Sequence, residues 1–289
     1  MIALTERGKK RLAYGFWRYH EGQVEEALAM VSAAREAGID HLDTADVYGG
    51  VSGYGGAERL LGTLRKQAPK LFDGAFIATK GGIDVKSPYC SSQAYLQECV
   101  DGSLSRLGVA RIDLFYIHRP DILTHPAELA ATLDGFVAAG KIAAVGASNF
   151  TVGQVDALKR YLKAPLVAHQ LQLSPGHIEP IFDGTLDQAM RENIAIAAWS
   201  PLAGGRLGAD GPVELQAVRQ VLVRIAAHHG VAPSAIAMAF LLKHPACITP
   251  IIGTQKPQRL TEMLAGLTVQ LSSREWYDII EAARGHRMP

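Results

Sequence analysis

Short runs of continuously apolar residues alternate along this chain with longer stretches whose apolar positions recur every three or four residues. The short runs read as strands and the longer ones as amphipathic helices. Strands are predicted near residues 11–16 and over 39–43, 75–80, 112–118, 142–148, 166–171, 194–199 and 248–252. Helices are predicted over 24–37, 57–67, 92–107 and 127–139, with Gly38, Gly108 and Gly140 as stop residues; glycine takes the left-handed conformation that ends a helix without steric cost. A further helix, 273–285, follows the eighth strand.

Several of these strands are apolar throughout, as in a parallel sheet buried on both faces. Eight β/α units over 289 residues, with no linker-like stretch, predict one (β/α)8 TIM barrel domain spanning 1–289, with an extra helix at the C-terminus. A doubly wound sheet would want G-x-G-x-x-G after its first strand, and Gly15-Phe16-Trp17-Arg18 does not supply it. The glycines at 49, 50, 53, 55 and 56 follow the second strand and read as a loop, a weak phosphate signal.

Charge narrows the partners. Lys and Arg number 29 against 28 acidic residues, a net charge of +1, with no basic patch for nucleic acid or an anionic membrane. The apolar run 231–242 is too short to span a bilayer, and the charged N-terminus lacks the apolar core of a secretory signal. Three cysteines fit neither a disulfide framework nor metal-ligand spacing. These features predict a soluble, cytoplasmic globular protein without a metal, with a monomer as the default state.

In a barrel the chemistry sits where strands run into their βα loops. Asp43, Lys80 and His118 close strands two, three and four, and Tyr48 follows in the loop after strand two. Each alone has an ordinary structural reading: a turn cap, a paired lysine, a core histidine, a loop aromatic. Together they share a logic. Asp43 can hold Lys80 charged, and Lys80 favours the phenolate of a nearby tyrosine, which could then exchange a proton near neutral pH. His228 and His229 end a helix before Gly230 and read as surface cations rather than metal ligands.

The segments GIDHLDTADVYGG, IATKGG, DLFYIHRPD, GKIAAVGASNF, AWSPLAGGRL and PIIGTQKPQRL resemble, in order, the motifs of the aldo-keto reductases, most closely the bacterial oxidoreductase branch. The resemblance implies a (β/α)8 barrel that binds NADPH, in preference to NADH, across its C-terminal face and reduces a small-molecule carbonyl substrate. It puts the catalytic tetrad on Asp43, Tyr48, Lys80 and His118, with Tyr48 as the general acid. Ser148, Asn149 and Gln170 would hold the nicotinamide carboxamide, and Trp199 would stack on the ring. Ser200, Leu202 and Gly204 would follow the pyrophosphate, while Gly253, Thr254, Lys256, Arg259 and Glu262 would meet the adenosine end. Gly15, Phe16 and Trp17 would approach the nicotinamide, and Trp17, Tyr54, Tyr89 and Arg119 stand at mouth positions for substrate.

The chain departs from the family pattern at Gly253, where many members carry a phosphate-binding lysine, and at Met263, where an asparagine is common. The N-terminal hairpin that plugs the barrel in relatives is short here. A Schiff-base lyase built on Lys80 and a cofactor-binding regulatory protein are the competing readings.

Overall fold

The computed structural model describes residues 12–289. Eight parallel strands close into a barrel in sequence order: β1 Ala13–Gly15, β2 His41–Asp43, β3 Phe76–Gly81, β4 Leu114–Ile117, β5 Val145–Ser148, β6 Leu166–Gln172, β7 Ala195–Trp199 and β8 Thr249–Ile252. The outer layer holds α1 Val24–Glu36, α2 Gly56–Gln67, α3 Gln93–Leu107, α4 Pro126–Ala138, α5 Val152–Tyr161, α6 Thr185–Glu192, α7 Gln216–His229, α8 Pro233–Lys243, α9 Pro257–Leu264 and α10 Ser273–Arg284. The expected barrel and the extra C-terminal helix, α10, are both present.

A second addition was not predicted. Two helices, α7 and α8, lie between β7 and β8. The apolar run 231–242 forms α8, in which every residue from Ala235 to Leu242 is buried. A helix that is apolar all round belongs inside a protein, and its short length follows from packing rather than from a membrane. Among the described residues no single helix is long and apolar enough to cross a bilayer. The first strand, expected from residue 11, begins at Ala13. Arg11 and the N-terminal hairpin lie outside the described residues.

Helix ends follow local chemistry. Ser92 caps α3, and Thr151 and Ser272 open α5 and α10 with reciprocal capping boxes, which satisfy N–H groups a helix start leaves unpaired. Gly108 closes α3 at φ 64°.

Strand register decides which side chains meet inside. Asp43 pairs with Gly15 on one side and Ala78 on the other, Lys80 with Tyr116, Tyr116 with Gly146, and Ser148 with Gln170. Alternate residues of each strand point inward, so Phe76 and Ala78 of β3 pack with Leu114 and Tyr116 of β4 in a small inner core. Gly146 must be glycine: a Cβ there would lie 2.4 Å from the Tyr116 ring. A much larger core joins the outer faces of the strands to the helices.

Close helix packing has its own glycine. A Cβ at Gly62 of α2 would fall 2.1 Å from the carbonyl oxygen of Arg106 at the end of α3. Alanine gains up to about 1 kcal/mol of helix propensity over glycine, but overpacking against backbone costs about 1–3 kcal/mol. Gly62→Ala is therefore expected to lower the urea-unfolding midpoint; a midpoint at or above that of the wild type would show that α2 and α3 part without cost.

Candidate active site

The register brings Asp43 of β2 and Lys80 of β3 together at the end of the barrel where the strands finish. The Lys80 ammonium is fully buried and donates to Asp43 Oδ2 at 2.7 Å and to the Thr44 carbonyl at 2.7 Å. Its third neighbour is the Tyr48 hydroxyl at 3.5 Å. Asp43 Oδ1 accepts from Gln170 Nε2 at 2.7 Å, so both carboxylate oxygens are engaged. Burial alone would pull the ammonium down; Asp43 and Tyr48 outweigh it and hold Lys80 above its ordinary value. A buried charge of this kind persists only when paired and hydrogen-bonded.

Tyr48 departs from the sequence expectation. Lys80 does favour its phenolate, but burial is the larger effect and Asp43 adds to it, so the phenol is pushed up rather than down. Tyr48 is accordingly a neutral hydroxyl at neutral pH. Its ring meets that of His118 edge-on, with centroids 5.7 Å apart. Burial, with Lys80 and Arg119 nearby, drives His118 down to about 2, which keeps the imidazole uncharged. The His118 Nδ1 is buried and has no partner among the described residues.

These groups border a cleft of about 780 Å³, within the usual size for a small-molecule or cofactor site. Of the residues singled out from the sequence, Gly15, Trp17, Asp43, Tyr48, His118, Arg119, Ser148, Asn149 and Gln170 line it, as do Trp199, Ser200, Leu202, Gly204, Gly253, Thr254, Lys256 and Arg259. Lys80 lies behind the wall, in contact with Asp43 and Tyr48. Phe16 does not reach the cleft; it is buried against Tyr14 and Tyr19. Glu262 is exposed one turn beyond the start of α9 and is not part of the lining. Tyr54 and Tyr89 also miss it. The Tyr54 hydroxyl turns inward to Asp46 at 2.6 Å, and Tyr89 bridges to Ile83 beside the third strand.

Sequence reasoning missed Arg18. It crosses from the loop after β1 and donates to the carbonyls of Gly253 at 3.1 Å and Gly204 at 3.2 Å. Its place beside Trp17 was the available signal, but its partners lie more than 180 residues away. The glycines after β2 form a tight turn rather than an anion cradle: a Cβ at Gly49 would stand 2.1 Å from the Gly53 carbonyl.

The rim carries unusual backbone. Asn149, Ser200 and Ala203 hold φ of 59°, 51° and 51°, a region costly for residues with a side chain and concentrated at functional sites. In this pose Asn149 donates to Ser148 Oγ and accepts from Trp199 Nε1 at 3.0 Å.

The donor set fits a nicotinamide dinucleotide. The lining carries amide and hydroxyl groups of Asn149, Gln170 and Ser148 together with the exposed cations Lys256 and Arg259. In the same lining Gly204 and Gly205 have open space where a Cβ would stand, and a Cβ at Gly253 would meet only a carbonyl at 3.9 Å.

The family model described as "Aldo/keto reductase family" matches residues 11–284. The chain belongs to the aldo/keto reductase family. It is an oxidoreductase, of a family that generally uses nicotinamide cofactors and reduces carbonyls. It is 44% identical over 282 residues to a 6-dehydroglucose reductase of Novosphingobium aromaticivorans, covering 96% of this chain and 93% of that one. It is 30% identical over 300 residues to the oxidoreductase YdhF of Escherichia coli, covering 100% and 99%. The glycerol dehydrogenase of Gluconobacter oxydans shares the fold with a TM-score of 0.83 at 26% identity, over 96% of this chain and 92% of that structure.

Beneath the Tyr48 loop lies Asp46, fully buried, whose N–H donates to the Lys80 carbonyl and whose carboxylate takes the Tyr54 hydroxyl. Burial raises its carboxyl from 3.8 to about 7. Below 3.8 folded and unfolded chains both keep the proton. Between 3.8 and about 7 the unfolded chain loses it and the folded chain retains it, so this group costs stability progressively as pH rises through that window. Asp46→Asn lacks the effect and can still accept from Tyr54. The melting temperature of the variant relative to the wild type is expected to increase from pH 5 to pH 8; a difference independent of pH would contradict the raised carboxyl.

Proposed function

We propose that the protein reduces an aldehyde or ketone to an alcohol with NADPH, with Tyr48 as the proton donor. One observation carries this reading: Asp43, Lys80 and the Tyr48 hydroxyl form a single buried chain that ends beside a neutral His118 at the cleft. A bound dihydronicotinamide supplies the hydride. Tyr48 gives its phenolic proton to the carbonyl oxygen as that oxygen gains electron density. The raised phenol is in the correct protonation state to do so at neutral pH. Lys80, held as a cation by Asp43, stabilises the phenolate that remains. A neutral imidazole has one N–H to donate, and His118 uses it to orient the carbonyl. Ser148, Asn149 and Gln170 hold the carboxamide, and Trp199 covers one face of the ring.

The substrate class we favour is a small hydroxylated aldehyde. The name of the 44% relative, a 6-dehydroglucose reductase, supports it. So does a second cavity of about 380 Å³ that shares Arg119, Asn149 and Trp199 with the main cleft and adds Gln172, His177, Asp183 and Thr185. The Schiff-base alternative is disfavoured because Lys80 is fully buried, triply engaged and held as a cation; the nucleophile in such chemistry is the free amine.

Tyr48→Phe is expected to lower kcat for aldehyde reduction by about 10²–10⁴-fold, the usual contribution of general acid catalysis, with cofactor affinity nearly unchanged. Retention of more than about a tenth of wild-type turnover, with chemistry rate-limiting, would remove Tyr48 from the role.

Arg259 and Lys256, exposed on the cleft lining at the start of α9, are the cations we assign to the 2′-phosphate. Arginine matches phosphate in a bidentate fork. Arg259→Ala should weaken NADPH binding by about 1.5–3 kcal/mol, toward the lower figure because the site is exposed, and leave NADH binding nearly unaltered. The ratio of the two dissociation constants in wild type and variant is the measurement; an unchanged ratio would mean that Arg259 does not read the phosphate.

A further inference from the structure

Outside the cleft, three ligating side chains converge on one point. His228 and His229 are the last residues of α7, and Glu275 lies in the first turn of α10. Adjacent residues on a helix are about 100° apart around its axis, so their rings do not ordinarily share a target. Here they do, because the helix ends at Gly230 and each ring uses a different nitrogen. His228 Nδ1 stands 3.0 Å and His229 Nε2 2.9 Å from the same oxygen, Glu275 Oε1. All three ligating atoms lie within 4.8 Å of one another.

The carboxylate is held in place from behind. Glu275 Oε2 accepts from the Ser272 N–H at 2.7 Å and the Ser272 hydroxyl at 2.9 Å, leaving Oε1 to the histidines. Oriented carboxylates backed by such hydrogen bonds are what metal sites use in their outer shell. Arg224 and Arg274, on the same two helices, are both engaged by Asp278 at 2.7 Å.

We propose that His228, His229 and Glu275 form a binding site for a first-row transition-metal dication, represented by Zn2+, which ties the last helix to α7. The separations suit such an ion. Tetrahedral bonds of about 2.0–2.1 Å place neighbouring ligand atoms about 3.3 Å apart, so the pairs at 2.9 and 3.0 Å need open by only a few tenths of an ångström. The His228 side chain is 76% exposed, which gives the ion an entry path and leaves a fourth position for water. Two imidazoles and one carboxylate favour zinc, copper or nickel and disfavour magnesium and calcium, which prefer all-oxygen shells. None of the three residues lines the cleft, so the site is separate from the chemistry proposed above.

The test is calorimetric titration of chelator-treated protein with ZnCl2, together with thermal melts. The wild type is expected to take up one equivalent and to melt at a higher temperature as free Zn2+ rises, since an ion that binds only the folded state stabilises it. MgCl2 should produce neither effect. His228→Ala, His229→Ala and Glu275→Gln should each weaken Zn2+ binding by at least about tenfold, and the double histidine variant should lose the thermal shift. His228→Ala removes an exposed ring and leaves the His229–Glu275 contact, so it provides a folded variant. Absence of saturable binding, or equal Zn2+ binding and stabilisation in wild type and double variant, would overturn the proposal; the second result would place the ion elsewhere.

Discussion

The rest of the site depends on one buried ion pair. Lys80 and Asp43 project from neighbouring strands into the barrel and meet at 2.7 Å with almost no exposure to solvent. Removing either partner would leave an uncompensated charge in a low-dielectric interior, which is far more costly than the pair itself. The pair holds because each member is fully engaged: Lys80 by Asp43 and the Thr44 carbonyl, and Asp43 by Lys80 and Gln170. Tyr48 is placed against this fixed charge, and its hydroxyl is the point at which the interior meets the cleft.

The closed barrel makes this pairing possible. Strands two to six contribute Asp43, Lys80, His118, Ser148 and Gln170 within two residues of their ends, and the parallel register sets them side by side. Loops after β5 and β7 then fold over the rim in left-handed conformations at Asn149, Ser200 and Ala203. The same segments supply Asn149 and the glycines Gly204 and Gly205 to the cleft lining, so the unusual backbone coincides with the cleft.

A second polar network supports the first from outside the barrel. Asp46 anchors Tyr54 and the turn that carries Tyr48, while Glu58, fully buried, receives Thr79 and Arg106. Asp46 explains why the Tyr54 hydroxyl turns inward: it meets a buried acceptor, which binds it more firmly than solvent would.

The alternation of apolar runs and amphipathic stretches was enough to establish the strands, the barrel and the residues at the strand ends, because strand burial and helix periodicity are local properties written at spacings of two to four residues. That Asp43, Lys80, Tyr48 and His118 meet was legible for the same reason: three fall within one residue of a strand end and Tyr48 in the loop after the second strand. Other features depended on contacts between distant segments. Arg18 reaches Gly204 and Gly253, Tyr54 turns to Asp46, Phe16 is absorbed by the core, and α7 and α8 both fit between β7 and β8. His228 and His229 read as ordinary helix-end cations until α10 brings Glu275 beside them. The direction of the Tyr48 shift was likewise decided in three dimensions, since the balance between burial and a neighbouring charge depends on how much water the fold excludes, and no residue spacing records that.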